Sequence, residues 1–364
     1  MVNTDPDISI APQDSTDRAT GRPATMPDGC TFEPHEWEVL AGHWYPVAWS
    51  EEVSDAPIAS TLLDEDLVVY RTSGGVVVAR DLCLHRGSRL TLGTIQGEEL
   101  VCVYHGWRYS TEGRCTRIPS QPPERRISPR ARLFTFPSTE RYGMVWASLS
   151  DPPVRDLPEW PEGDDPESRR FHLPSQEWRT SAARQVENFL DVSHFSFVHQ
   201  GTFGNPDQAQ MEDFDVVVTP RGLHYEIPYL AGNPDHSKLG GSPTILRLMA
   251  YDLTLPFCGE LTVAYPEKGE GARHSIFNAA QPISAKRMRI YMSFSRNFDH
   301  EQPIEELLAW ESAIVSEDRP VVESQRPEEL PIDLVEELHV QADRMTIAYR
   351  KELARLGLGP GSTR

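Results

Sequence analysis

The sequence predicts an α+β chain of two domains, and three observations carry that prediction. Residues 59–149 form short β-like runs separated by Gly and Pro turns. Residues 151–166 are dense in Pro, Asp and Glu and read as the linker region. The remainder alternates from helix to a run of strands and back to helices. A length of 364 residues exceeds one ordinary core and fits two.

The elements follow in order. Residues 1–35 are rich in Pro, Asp, Thr and Ser and read as a disordered tail. The stretch has neither a basic start nor an apolar run, so it is not expected to be a secretory signal. Residues 36–40 predict a short helix. Residues 67–72 and 76–80, joined through Ser73-Gly74-Gly75, predict a hairpin with a glycine turn. Residues 100–104, 132–136 and 143–149 read as further strands, which makes 36–160 a small all-β domain. In 161–364 the pattern is helical at 180–199, then β-like at 214–218, 223–227, 244–255, 260–265, 274–282 and 287–298. Helices are expected at 304–315 and 333–356, with apolar residues at three- and four-residue spacing. This second domain is an antiparallel sheet flanked by helices.

Composition narrows the function classes. Apolar residues make up 38% and charged residues 25%, which suits a soluble globular protein. A net charge of −20 argues against non-specific nucleic-acid binding. No apolar run is long enough for a membrane span. The five cysteines, Cys30, Cys83, Cys102, Cys115 and Cys258, are odd in number in a large chain. They suit a reducing, cytoplasmic setting and metal ligation better than a disulfide framework.

Four residues of one kind of chemistry stand in two segments, Cys83-Leu-His85-Arg-Gly and Cys102-Val-Tyr-His105-Gly-Trp107. Two loops that each offer one thiolate and one imidazole can meet over a metal centre. A Rieske [2Fe–2S] cluster has two Cys on one iron and two His on the other. A structural zinc site is the competing reading, although zinc fingers usually take both Cys from one loop and both His from a helix. Trp107 reads as a packing residue that shields the cluster.

Cys-x-His-Arg-Gly followed by Cys-x₂-His-Gly-Trp resembles the Rieske domain of the ring-hydroxylating and demethylating oxygenases. The resemblance extends over about residues 36–356 and implies a helix-grip (START-like) catalytic domain after the Rieske domain. Val103 departs from the family pattern, in which Pro often follows the second Cys.

Downstream lies Glu187-Asn188-Phe-Leu-Asp191-Val-Ser-His194-Phe-Ser-Phe-Val-His199. The spacing of three puts Asn188, Asp191 and His194 on one helix face. His199 would lie about 140° from His194 on an ideal helix, so the helix must bend or break between them. Two His in a helix are by themselves more often satisfied surface or core residues. With a carboxylate they make the facial triad of non-haem iron(II) oxygenases, and the cluster motif upstream favours that reading. The resemblance implies that His194 and His199 bind a mononuclear Fe(II). It also implies that Asp191 bridges a ligand His of its own subunit to a cluster His of the neighbour. The segment from Glu311 to Gln325 resembles the family's C-terminal helix, which makes Asp318 the third ligand and Glu317 its competitor.

The resemblance therefore implies the terminal oxygenase of a multicomponent system. O₂ and a small aromatic or heterocyclic molecule are the substrates. Electrons come from NAD(P)H through a separate reductase, a ferredoxin, or both, because the chain shows no nucleotide-binding or plant-type ferredoxin motif. Monooxygenation with O- or N-demethylation competes with ring cis-dihydroxylation. An electron-transfer Rieske protein and a zinc-stabilised binding protein are rivals from other classes. A homotrimer closed head to tail is expected. Phe203, Tyr229, Phe257, Phe277, Asn278 and Phe294 are candidate pocket-wall residues.

Overall fold

The computed structural model describes residues 25–233 and 242–359. Its N-terminal part runs α1 (Pro34–Ala41), β1 (Tyr45–Trp49), β2 (Ile58–Leu62), β3 (Glu65–Thr72), β4 (Gly75–Arg80), β5 (Thr94–Gln96), β6 (Glu99–Val101), β7 (Arg108–Tyr109), β8 (Cys115–Arg117), β9 (Thr135–Phe136), β10 (Ser138–Arg141) and β11 (Met144–Ala147). These strands build three small sheets in the orders β1-β11-β10, β2-β3-β4-β9 and β5-β6-β7-β8. The period-two geometry of β3 explains why two cores meet here. Leu67 and Val69 point into the main core, whereas Val68 and Tyr70 point into a second core that contains Cys83 and Cys102. The expected 67–72/76–80 hairpin forms, with Thr72 opposite Gly75.

The C-terminal part contains α2 (Pro161–Asp164), β12 (Arg169–His172), β13 (Gln176–Trp178), α3 (Ala182–Leu190), α4 (Phe195–Val198), β14 (Val216–Val218), β15 (Gly222–Gly232), β16 (Thr244–Thr254), β17 (Cys258–Ala264), β18 (Arg273–Ser284), β19 (Arg287–Arg296), α5 (Ile304–Ser324) and α6 (Arg344–Leu356). One antiparallel sheet takes the order β12-β19-β18-β17-β16-β15-β14, with β13 also on β19. The fold is thus α+β as expected, and α3 and α5 lie against the same sheet.

Several boundaries differ from the sequence expectation. The strand expected at 100–104 stops at Val101, because Cys102 opens a loop. Of 132–136 only Thr135–Phe136 pairs as a strand. The helix expected at 304–315 continues through Pro320 to Ser324. The helix expected at 333–356 begins only at Arg344. Val335, Leu338 and Val340 are exposed, so their apolar spacing marks no buried face, and Glu337 is drawn instead into ion pairs with Arg184 and Arg350.

Of the expected tail, residues 1–24 lie outside the described residues. Of residues 25–33, Met26, Cys30 and Phe32 pack against the main core, and Asp64 Oδ2 accepts from the Thr31 backbone N–H and hydroxyl at 2.8 and 2.7 Å. The Pro- and acid-rich stretch 151–166 is also anchored. Trp160 is fully buried, stacks on Phe277 at 5.3 Å and donates its indole N–H to Ser275 Oγ at 2.7 Å. No helix among the described residues is long and apolar enough to cross a membrane.

Candidate active site and cluster loops

The two Cys/His loops share one backbone plan. The Gly87 N–H donates to the Cys83 carbonyl at 3.0 Å, and the Gly106 N–H donates to the Cys102 carbonyl at 2.9 Å. Both glycines adopt φ 67, a left-handed turn that a side chain would strain. In the return direction the Cys83 N–H donates to the Ser88 carbonyl at 2.8 Å and the Cys102 N–H to the Trp107 carbonyl at 2.9 Å. Each loop therefore buries its thiol and presents its imidazole at the tip.

The donors converge. His85 Nδ1 and His105 Nδ1 face each other at 3.1 Å. Trp107 stacks on His85 at 4.8 Å and 6°, which agrees with its expected packing role. Cys83 Sγ lies 3.1 Å from Tyr109 Oη, and burial pushes the Cys83 thiol up. Buried thiols beneath paired imidazole nitrogens suit a cluster with sulfur and nitrogen ligands. Leu84, Val103 and Tyr104 are exposed around the histidines beside the exposed Arg86, so the loop tip presents apolar side chains next to one cation.

The second site is built at a helix break. Helix α3 is capped by Ser181, whose Oγ accepts from the Arg184 N–H, and it ends at Leu190. Asp191 is extended, at φ −89 and ψ 128. Its carboxylate accepts from the Ser193 and His194 backbone N–H groups at 2.9 and 3.2 Å. The break thus falls before His194, and Asn188, Asp191 and His194 do not share one helix as the spacing had suggested. His194 and His199 instead flank the single turn of α4.

This arrangement brings three side chains together across the fold. His194 Nε2 and His199 Nε2 lie 3.3 and 3.4 Å from Asp318 Oδ1 on α5. One ligand atom from each of the three falls within 4.8 Å of the others. His194 Nε2 and Asp318 Oδ1 are buried and lack hydrogen-bond partners among the described residues. Orphaned, converging donors of this type fit an Fe(II) held by two His and one carboxylate. The outer nitrogens are both engaged: His194 Nδ1 with Asp191 Oδ2 at 3.1 Å, and His199 Nδ1 with Glu317 Oε2 at 2.9 Å. Thr202 Oγ1 also donates to Glu317 Oε2, at 2.9 Å.

The charges diverge between the two rings. Burial disfavours a charged His194, but Asp191 and Asp318 outweigh it and raise the pKa to about 9. Burial lowers that of His199 against the pull of Asp318 and Glu317.

Sequence reasoning treated Glu317 as a rival for Asp318, and it missed that Glu317 backs His199. Helical phase carries the distinction: Leu307, Glu311, Val315 and Val322 are the buried stripe of α5, and Asp318 continues it. Glu317 is rotated about 100° off that stripe.

The triad opens on a cavity of about 760 Å³ between the sheet, α3 and α5. Phe203 and Tyr229 line it as expected, and Asn188 of the iron-site motif lines it too. Phe257, Phe277, Asn278 and Phe294 are not among the lining residues. Phe277 faces the opposite side of β18, against Trp160, and Phe257 packs near Tyr45 at 6.1 Å. Asn278 exchanges hydrogen bonds with Gln185 at 3.1 Å, and Phe294 stacks on Phe171 at 5.1 Å.

Fold, loops and triad together define a Rieske-type non-haem iron oxygenase. Residues 43–137 match the Rieske [2Fe-2S] domain family, and residues 178–358 match the vanillate O-demethylase oxygenase C-terminal domain. Methylxanthine N1-demethylase NdmA of Pseudomonas putida is 32% identical over 330 residues, covering 88% of this chain and 90% of the relative. Methylxanthine N3-demethylase NdmB of the same organism is 31% identical over 333 residues, with the same coverage of 88% and 90%. The solved structure of Pseudomonas putida CBB5 NdmA with caffeine superposes with a TM-score of 0.77 at 30% identity, over 88% of this chain and 92% of that one. The chain belongs to the oxygenase (alpha) subunits of the Rieske oxygenase family. It is a terminal oxygenase component that hydroxylates or demethylates small molecules, with a Rieske cluster and a mononuclear iron as cofactors. The family acts with O₂ and a separate reductase or ferredoxin.

Proposed function

We propose that this oxygenase removes a methyl group from the nitrogen or oxygen of an aromatic or heterocyclic small molecule. The observation that carries the reading is the cavity: a His₂Asp donor set opens directly onto a wall built largely of aromatic and aliphatic side chains. The names of the near-full-length relatives, both methylxanthine demethylases, support it.

In this reading Cys83, His85, Cys102 and His105 hold the cluster, and His194, His199 and Asp318 hold the iron. When bound, the cluster would supply single electrons and the iron would supply O₂ activation, the chemistry by which one oxygen atom enters the methyl C–H bond. The hydroxymethyl group then leaves as formaldehyde. NAD(P)H supplies two electrons through the reductase, and the second oxygen atom leaves as water. Asp191 steadies His194, and Glu317 steadies His199, as carboxylates behind metal-bound imidazoles do. Asn188 borders the substrate beside His194.

The assembly proposed is a head-to-tail homotrimer in which the loop tip around His85 and His105 meets the next subunit near Asp191. The exposed Phe197, three residues beyond His194, is a matching apolar surface. Residues 36–160 and 161–364 are the proposed domains, and the cytoplasm is the proposed compartment. Incubation of the reconstituted system with N- and O-methylated rings under ¹⁸O₂ tests the reaction. Stoichiometric formaldehyde from at least one substrate is expected; cis-diols without formaldehyde would overturn it.

A further inference from the structure

The cavity wall is mostly apolar, yet three ionisable side chains are buried in it away from the triad, His274, Glu311 and Arg296. His274 on β18 is 7% exposed and Glu311 on α5 is 6% exposed, and both line the cavity. Glu311 precedes Asp318 by two helical turns on the same stripe, about 10 Å along the axis. A ring lying between the two positions would have its reacting end at the triad and its far edge at His274 and Glu311.

The pair is in contact, but one of its atoms is left without a hydrogen bond. His274 Nε2 lies 3.1 Å from Glu311 Oε1. The contact is an ion pair and not a hydrogen bond, and Nε2 is buried with no hydrogen-bond partner among the described residues. Its ring is held flat against Phe294 at 5.9 Å and 12°. The neighbouring cation, Arg296, turns its terminal nitrogens to Gln302 at 3.2 Å and Asp299 at 3.6 Å, and its buried Nε is left without a hydrogen bond. A buried polar atom facing a cavity without a partner is costly, and a ligand that supplies the partner removes that cost.

We propose that His274 and Glu311 form the recognition site for a lactam or imide edge on the substrate ring. The ligand N–H donates to the Glu311 carboxylate, and the adjacent ligand carbonyl accepts from His274 Nε2–H. The pairing follows from the chemistry of the two groups. A substrate carboxylate would be repelled by Glu311. An ammonium group would satisfy Glu311 and leave Nε2 unpaired. A cyclic amide offers a donor and an acceptor on neighbouring atoms, as the two protein atoms require. The proposal rests on the demethylase reading for the position of the reacting methyl group, but the recognition itself is a binding property.

Calorimetric binding to the anaerobic holoenzyme tests it, with matched ligands that differ only by hydrogen or methyl on the lactam nitrogen. The probes are theobromine against caffeine, and 2-quinolone against N-methyl-2-quinolone. The N–H member of at least one pair should bind about tenfold or more tighter, as befits a hydrogen bond to a charged group. Glu311→Leu should reduce that preference to about twofold or less, by weakening only the N–H member. His274→Phe should weaken both members of the pair, since both retain the carbonyl. If Glu311→Leu does not fold, Glu311→Gln keeps the cavity shape and should cut the preference at least about threefold. Absence of any N–H preference, or its survival in a folded Glu311 variant, overturns the proposal. Formaldehyde release is assayed separately. N–H-selective binding without demethylation would sink only the demethylase reading, and demethylation without that selectivity would sink only the recognition site.

Discussion

Glu317 reaches His199 from behind: its Oε2 lies 2.9 Å from Nδ1 of the ring whose Nε2 faces Asp318 Oδ1 at 3.4 Å. Two adjacent acids on α5 thus serve opposite sides of one imidazole. Glu317→Ala should weaken Fe(II) binding roughly 10–100-fold, because an outer carboxylate fixes the tautomer and orientation of a ligand His. Glu317→Gln, which still offers an oxygen to Nδ1–H, should recover most of that loss. Anaerobic Fe(II) titration reads both. Unchanged affinity in Glu317→Ala would remove the backing role, and complete loss would make Glu317 the ligand.

Asp191 combines a turn with a contact. Its carboxylate caps the Ser193–His194 turn and meets His194 Nδ1, while 22% of the side chain stays exposed toward solvent. Once loaded at saturating Fe(II), Asp191→Ala and Asp191→Asn should carry both metal centres yet slow electron transfer from the reduced cluster about tenfold or more in a single turnover. A purely local cap would instead cost about 1 kcal/mol of stability and leave the transfer rate unchanged.

The imidazole pair at the loop tip sets the third expectation. His85→Cys or His105→Cys replaces nitrogen by thiolate on one iron and should lower the reduction potential by hundreds of millivolts, on the order of the gap between Rieske and all-thiolate clusters. Redox titration followed by the visible spectrum measures it. Wild-type spectra and potentials in both variants would exclude these residues as ligands.

Much of this site could be read from the residue types. The Cys83/His85 and Cys102/His105 pairs are legible because each loop needs its thiolate, imidazole and glycine at short range. His194 and His199 are legible only beside that cluster motif, since two such histidines alone read as ordinary residues. The break before His194 was hidden, because a carboxylate that caps its own turn at Asp191 sits at the same spacing as a helical face. The pocket wall was only partly legible: aromatic content does not state which face of β18 carries Phe277 or whether Phe294 stands one layer behind the cavity. The acid ligand required knowledge of which side of α5 is buried. His274 and Glu311 are ordinary residues in sequence and become a pair only when β18 and α5 are packed.

A pH dependence of stability follows from a carboxyl group away from both centres. Trp160 donates to Ser275 Oγ, which in turn donates to Glu260 Oε1 at 3.0 Å. Burial, and then the neighbouring Glu162, raise the Glu260 pKa from 4.5 to about 9. The folded protein therefore holds this proton more tightly than the unfolded chain. Its contribution is full below about pH 4.5 and is lost as the pH rises toward 9. Glu260→Gln lacks the titration, so its melting temperature should gain on the wild type between pH 5 and 9, by on the order of 2–4 °C for each kcal/mol that the wild type loses. Parallel profiles for the two proteins would remove the carboxylic acid from the fold's energetics.

The central claim is that His194, His199 and Asp318 hold the mononuclear iron. The most direct measurement is ferrous loading of His199→Ala and Asp318→Ala, each with an intact cluster, read by the electron paramagnetic resonance signal that nitric oxide induces at a mononuclear Fe(II). The account predicts a strong nitric oxide signal in the wild type and none in either variant at Fe(II) concentrations that saturate the wild type, with the Rieske spectrum unchanged in all three. A full signal in either variant would contradict it.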